Sequence, residues 1–143
     1  MSRSSRRRAR EFALQGLYQW QLAKTDTHAI AQHLAEAKGF EKLDAPYFDL
    51  LLNGAVGAAE ELERDIAPCL DRPFAALSPV ERGVLLLAAY ELRHQPEVPY
   101  RVVINEAVEL AKEYGGTDGH KFVNGVLDRL APRLRSVEAK KTE

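Results

Sequence analysis

The sequence predicts an all-α fold, a compact helical bundle, on three observations. Period-2 alternation of apolar and polar residues is absent, apolar residues recur at i, i+3, i+4 spacing almost throughout, and the periodic segments are bounded by helix caps, prolines and glycines. The first helix is expected from about Ser5 to Ala23, where Ala9, Phe12, Ala13, Gly16, Leu17 and Trp20 form one apolar stripe. A short second helix follows, capped by Asp26 or Thr27, with Ile30 and Leu34 inward and Gly39 at its C-terminal end. The third opens at Asp44, with Pro46 in the first turn, where a missing N–H costs nothing. Phe48, Leu51, Leu52, Ala55, Ala59, Leu62 and Ile66 give it a buried face, and Pro68 closes it. The stretch "LSPVERGVLLLAAYEL" starts a fourth helix with Ser78 as cap, Pro79 at the first position and Glu81 placed to complete a capping box. Its run over 84–89 is apolar nearly all round, so this helix is expected at the centre of the domain. "HQPEVPY" breaks the chain with two prolines; "RVVINEAVELAKEYGG" gives a fifth long helix stopped by Gly115 and Gly116. The last helix starts near Thr117 or Asp118 and buries Phe122, Val123, Val126, Leu127 and Leu130 before Pro132. Residues 1–135 read as a single domain and 136–143 as a frayed tail without apolar periodicity.

Charge is distributed unevenly. The chain holds 20 Lys+Arg against 21 Asp+Glu, yet Arg3, Arg6, Arg7, Arg8 and Arg10 crowd the first ten residues with no acid among them. Without those five arginines the remainder carries 15 basic and 21 acidic side chains, a charge of −6. An acidic body with a cationic end suggests that this end meets a polyanion. A mitochondrial presequence has the same Arg-rich, Ser-rich composition; Glu11 and the apolar character of the following helix count against it. The single cysteine, Cys69, excludes an internal disulfide and fits a reducing compartment, and a cytoplasmic location is expected. No apolar run approaches the roughly 18 residues that a membrane span needs, so no membrane partner is expected.

The residues offer no catalytic constellation and no cofactor motif. Of the four histidines, His28 and His33 fall five apart, roughly 140° around a helix, and no HExxH or CxxC exists, which argues against a zinc site. "GGTDGHK" is not a phosphate loop, because His120 intervenes between Gly119 and Lys121 and no strand precedes it. The chain is expected not to be an enzyme and to need no cofactor.

Binding is the reading that remains. If the first helix extends that far, Arg3, Arg6, Arg7 and Arg10 fall within about 100° of one another beside the apolar stripe, and guanidinium forks suit phosphate oxygens. A flexible solubilising arm would explain the same residues. "GGTDGHKFVNG" places a helix N-terminus beside Lys121 and Phe122, a second cationic element, although the glycines also serve to end a helix and Phe122 also suits a core. Leu14, Tyr18 and Leu22 form a second apolar stripe on the first helix, which implies either burial on both sides or a partner.

Four segments, "RRRAREFALQGLYQWQL", "LSPVERGVLLLAAYEL", "VPYRVVINEAVELAKEYG" and "HKFVNGVLDRLAP", closely resemble the NusB family of bacterial transcription antitermination factors, in order and spacing over residues 6–134. The resemblance implies a fold of two packed three-helix bundles and an RNA-binding protein without catalytic activity. It implies pairing with NusE, the small-subunit ribosomal protein, on single-stranded boxA RNA of nascent ribosomal RNA and phage transcripts. Other Nus factors and RNA polymerase would complete the antitermination complex. By the same resemblance Arg6, Arg7, Arg8 and Arg10 match the arginine-rich RNA-binding end, and Asp118, Lys121 and Phe122 match a second RNA-contacting region. Tyr18, Leu22 and Glu81 match positions on or near the NusE-facing surface. The state of assembly, monomer or dimer, stays open. A related alternative is the RNA-binding front end of a ribosomal RNA cytosine methyltransferase, which would need a following Rossmann domain. A helix-turn-helix DNA-binding protein would need a basic, exposed recognition helix, whereas the helices after the first are mixed or acidic.

Overall fold

In the computed structural model, which describes residues 4–135, every regular element is helical. The helices are α1 (Ser5–Ala23), α2 (Thr27–Leu34), α3 (Ala45–Gly57), α4 (Ala59–Ile66), α5 (Pro79–His94), α6 (Tyr100–Tyr114) and α7 (Gly119–Leu134), with 3-10 turns at Phe40–Lys42, Ala67–Cys69 and Phe74–Ala76. They divide into two compact units that meet in sequence between Gly57 and Ala58. The expected tail, 136–143, and Arg3 lie outside the described residues.

In the first unit α1 packs against both α2 and α3, which also touch each other. The predicted α1 stripe is buried as far as Leu17, and Trp20 is half-buried. Phe12, Phe40 and Phe48 link edge-to-face at centroid separations of 5.2 and 5.3 Å, the geometry that aromatic quadrupoles favour. Asp44 caps α3 by accepting the Tyr47 N–H at 3.1 Å, while its own N–H donates to the Ser5 carbonyl at 3.0 Å. That bond ties the start of α3 to the start of α1. Gly39 turns the chain between them at φ 94°, a conformation that favours glycine.

The single helix expected from Asp44 to Pro68 is instead two. The chain leaves helical geometry at Ala58 (φ −105°, ψ 12°) and restarts as α4. Gly54 and Gly57 each make the end of α3 about 1 kcal/mol less favourable than alanine would, so the helix breaks where it is weakest. The expected buried face divides accordingly: Phe48, Leu51, Leu52 and Ala55 are buried in the first unit, Leu62 and Ile66 in the second.

In the second unit α5, α6 and α7 pack on one another, and α4 lies against α5 and α7. Each unit is thus built on three mutually packed helices, with α4 as an addition to the second. The capping box of α5 forms as expected, Ser78 Oγ accepting the Glu81 N–H at 3.1 Å and Glu81 Oε1 accepting the Ser78 N–H at 3.2 Å. Residues 83–92 of α5 are all buried, which makes it the central helix of this unit. Its C-terminal end has an unusual donor. Pro96 has no N–H to offer the Leu92 carbonyl; Arg135 Nε donates there at 2.7 Å, and the same guanidinium donates to the carbonyls of Glu91, Gln95 and Val98. Helix α6 stops at Gly115, where a Cβ would lie 2.7 Å from the Ala111 carbonyl oxygen, so no larger residue fits that backbone. Helix α7 continues two residues beyond Pro132, whose ring forfeits only one bond in the last turn.

Candidate functional site

The arginine-rich end is helix, not a loose arm. Ser4 caps α1, its hydroxyl accepting the Arg7 N–H at 3.0 Å, and Arg6, Arg7 and Arg8 fill the first turn with no acid among them. The first turn is the positive pole of the helix dipole, which disfavours a guanidinium group there by about 0.3–1 kcal/mol and favours an anion. Two of the three side chains lie against the body of the first unit. The Arg6 guanidinium lies 3.9 Å from the centre of the Tyr47 ring, within cation–π range. Arg8 lies across the Gly39 turn, where a Cβ would come 3.2 Å from its Nη1. Arg6 is exposed, and Arg7 and Arg8 are half-buried.

Arg10 is placed differently from the other three. It is only 5% exposed, with its guanidinium 5.5 Å from the same Tyr47 ring. One turn beyond Arg6 and Arg7, the helix faces the packed interior, and the wheel position beside the apolar stripe becomes an inward one.

The second expected RNA region gathers at the start of α7. Asp118 stands at the N-cap without making a side-chain cap bond, and its carbonyl accepts the Lys121 N–H at 3.1 Å and the Phe122 N–H at 3.4 Å. Lys121 Nζ reaches Asp118 Oδ1 at 3.5 Å, with three-quarters of each side chain exposed, so this pair is loose and open to exchange for a ligand. Phe122, expected to be buried, is half-buried. Glu81 belongs to this neighbourhood as well: a Cβ on Gly119 would lie 3.7 Å from its Oε2.

Sequence reasoning missed Arg72, in the loop before the Phe74–Ala76 turn. Its guanidinium lies over the Phe122 ring at 4.8 Å. Arg72 Nε donates to Asp71 Oδ1 at 2.8 Å and Nη2 to Oδ2 at 3.3 Å. The hydrogen bond from Arg72 holds the Asp71 carboxyl below its ordinary range, and Asp71 in turn raises the Arg72 guanidinium. "DRP" carries no periodic or motif signal; only the fold brings it to α7.

The second apolar stripe of α1 resolves into two parts. Leu14 is buried, whereas Tyr18 is 43% exposed and Leu22 60% exposed. They lie on the first unit, and Glu81 lies on the second. Among the described residues no group of three or more His, Cys, Asp and Glu could hold a metal ion, and no helix is long and apolar enough to cross a membrane.

Comparison with known proteins gives a consistent picture. The sequence model of the NusB family matches residues 7–132. The chain is 57% identical over 136 residues to the transcription antitermination protein NusB of Ralstonia nicotianae, covering 95% of this chain and 88% of that one. It is 61% identical over 129 residues to the protein of the same name from Nitrosospira multiformis, covering 90% and 82%. Among solved structures, a crystal structure of antitermination factors NusB and NusE in complex with double-stranded RNA superposes with a TM-score of 0.81 at 30% identity, over 89% of this chain and 96% of the matched one.

Proposed function

The chain belongs to the NusB family, and on that footing we propose that it is a transcription antitermination factor that binds boxA RNA together with NusE. The observation that carries this reading is the start of α1, where Arg6, Arg7 and Arg8 crowd a positive helix end whose first turn contains no acid. An RNA backbone suits this cationic helix end, and guanidinium groups meet phosphate oxygens with paired bonds. Arg10, being buried, positions this end and is not a direct contact. Asp118, Lys121 and Phe122 form the second contact region. Phosphate contacts fix position and carry little sequence information, so discrimination falls to this region, through base edges and stacking.

Tyr18 and Leu22, with Glu81, face NusE. The acidic body favours a basic ribosomal protein as partner, because that protein neutralises the −6 which would repel a longer RNA. RNA and NusE therefore strengthen each other's binding, and a tenfold gain in one affinity, about 1.4 kcal/mol, appears equally in the other. Residues 1–135 act as one RNA-binding domain in the cytoplasm, with no chemistry of their own, and deliver the RNA to the complex of other Nus factors and RNA polymerase.

The test is equilibrium binding of single-stranded boxA RNA, a scrambled strand, duplex RNA and duplex DNA, each with and without NusE. The proposal expects boxA to bind best and NusE to tighten it. Equal affinity for duplex DNA, or no effect of NusE, would refute it; preference for duplex RNA would reject the single-stranded part.

A further inference from the structure

Resting on the RNA-binding reading above, we infer that Arg72 provides the stacking surface at the α7 end: one unpaired base lies on the side of its guanidinium turned away from Phe122. Arg72 Nε and Nη2 are both committed to Asp71, so one of the two forked edges that could grip a phosphate is taken. The Asp71 carboxylate also offsets the positive charge that a phosphate would seek. One side of the group meets the Phe122 ring at 4.8 Å, and 48% of the side chain is exposed and within reach of a ligand.

A guanidinium is planar and weakly hydrated, and bases stack on such planes as they do on aromatic rings. The group is also pre-set. Asp71 fixes its edge and Phe122 backs one side, so little freedom remains to be lost when a base arrives. Phe122 itself is half-buried with Arg72 over it, so the ring backs the guanidinium while its exposed part stays in the contact region.

Arg72→Lys tests this, because it keeps the charge and removes the plane. The probe is boxA RNA, intact and with a single abasic nucleotide placed at each position in turn, titrated against the full chain. The salt dependence is measured alongside. One abasic position should weaken binding to the wild type roughly tenfold, within the range of base stacking, and should cost Arg72→Lys almost nothing. On intact RNA, Arg72→Lys should itself lose roughly tenfold with an unchanged salt slope. Arg72→Gln, which replaces the guanidinium by a smaller neutral amide on a shorter stem, should lose the same sensitivity to the abasic position. The inference is overturned if Arg72→Lys binds intact RNA as tightly as the wild type, or if the abasic penalties are the same in both proteins. Absence of RNA binding by the wild type would overturn the RNA-binding reading along with it, so the two failures are told apart.

Discussion

Leu14, Tyr18 and Leu22 share one stripe of α1, and substituting each by alanine should separate stability from partner binding. Leu14 is 3% exposed, so Leu14→Ala should cost about 2–5 kcal/mol of stability, the range for buried leucine. Leu22 is 60% exposed; if burying a whole leucine is worth about 1.5–3 kcal/mol, a partner covering the remainder gains about 1–2 kcal/mol. Leu22→Ala should therefore weaken NusE binding roughly tenfold while leaving the denaturation midpoint nearly unchanged. Tyr18 has 43% of its surface left to cover, and on a side chain that buries about 150–250 Å² this comes to about 2 kcal/mol, or roughly 30-fold in Kd. Urea denaturation followed by circular dichroism reads the stability, and calorimetric titration with NusE reads the affinity. If Tyr18→Ala and Leu22→Ala bind NusE as the wild type does, or lose as much stability as Leu14→Ala, the outer half of the stripe is not a docking surface.

Arg135→Met should destabilise the fold by about 2–4 kcal/mol in urea denaturation, because it leaves buried carbonyls at the end of α5, that of Leu92 first, without their donor; a loss under 1 kcal/mol would show that water replaces the guanidinium. Asp71 should titrate below 3.8 by carboxyl NMR and move back toward it in Arg72→Gln; since its folded value is the depressed one, the ion pair is intact above the unfolded value and opens as pH falls through the folded one. Burial pushes the Cys69 thiol up, and it is 3% exposed, so alkylation at neutral pH should follow global unfolding and accelerate with urea. Rapid labelling of the native protein would contradict that burial.

Much of the fold was legible because the strongest signals were local. Ser78, Pro79 and Glu81 announce α5 through a capping box that needs no tertiary partner, and α1 occupies the span its stripe requires. The break at Ala58 was not legible, since apolar spacing continues across it from Ala55 through Leu62; only the weakness at Gly54 and Gly57 hinted at it. The candidate site was legible in composition but not in orientation. Arginines at 6, 7, 8 and 10 look equivalent in sequence, and it takes Tyr47 and the packed side of α1 to turn Arg10 inward. Arg72 and Arg135 act through partners 50 and 43 positions away along the chain, and no periodicity connects them.

The salt dependence of boxA RNA binding tests the role of the α1 end most directly. Three phosphate-contacting arginines together with Lys121 should give a slope of log K against log salt of about −3, a loss of roughly 50-fold between about 50 and about 200 mM. Replacing Arg6, Arg7 and Arg8 by alanine should flatten the slope to about −1, and Arg10→Ala should lower stability while leaving the slope as in the wild type. A triple variant that keeps the wild-type slope would contradict the assignment, because the phosphates would then be held elsewhere.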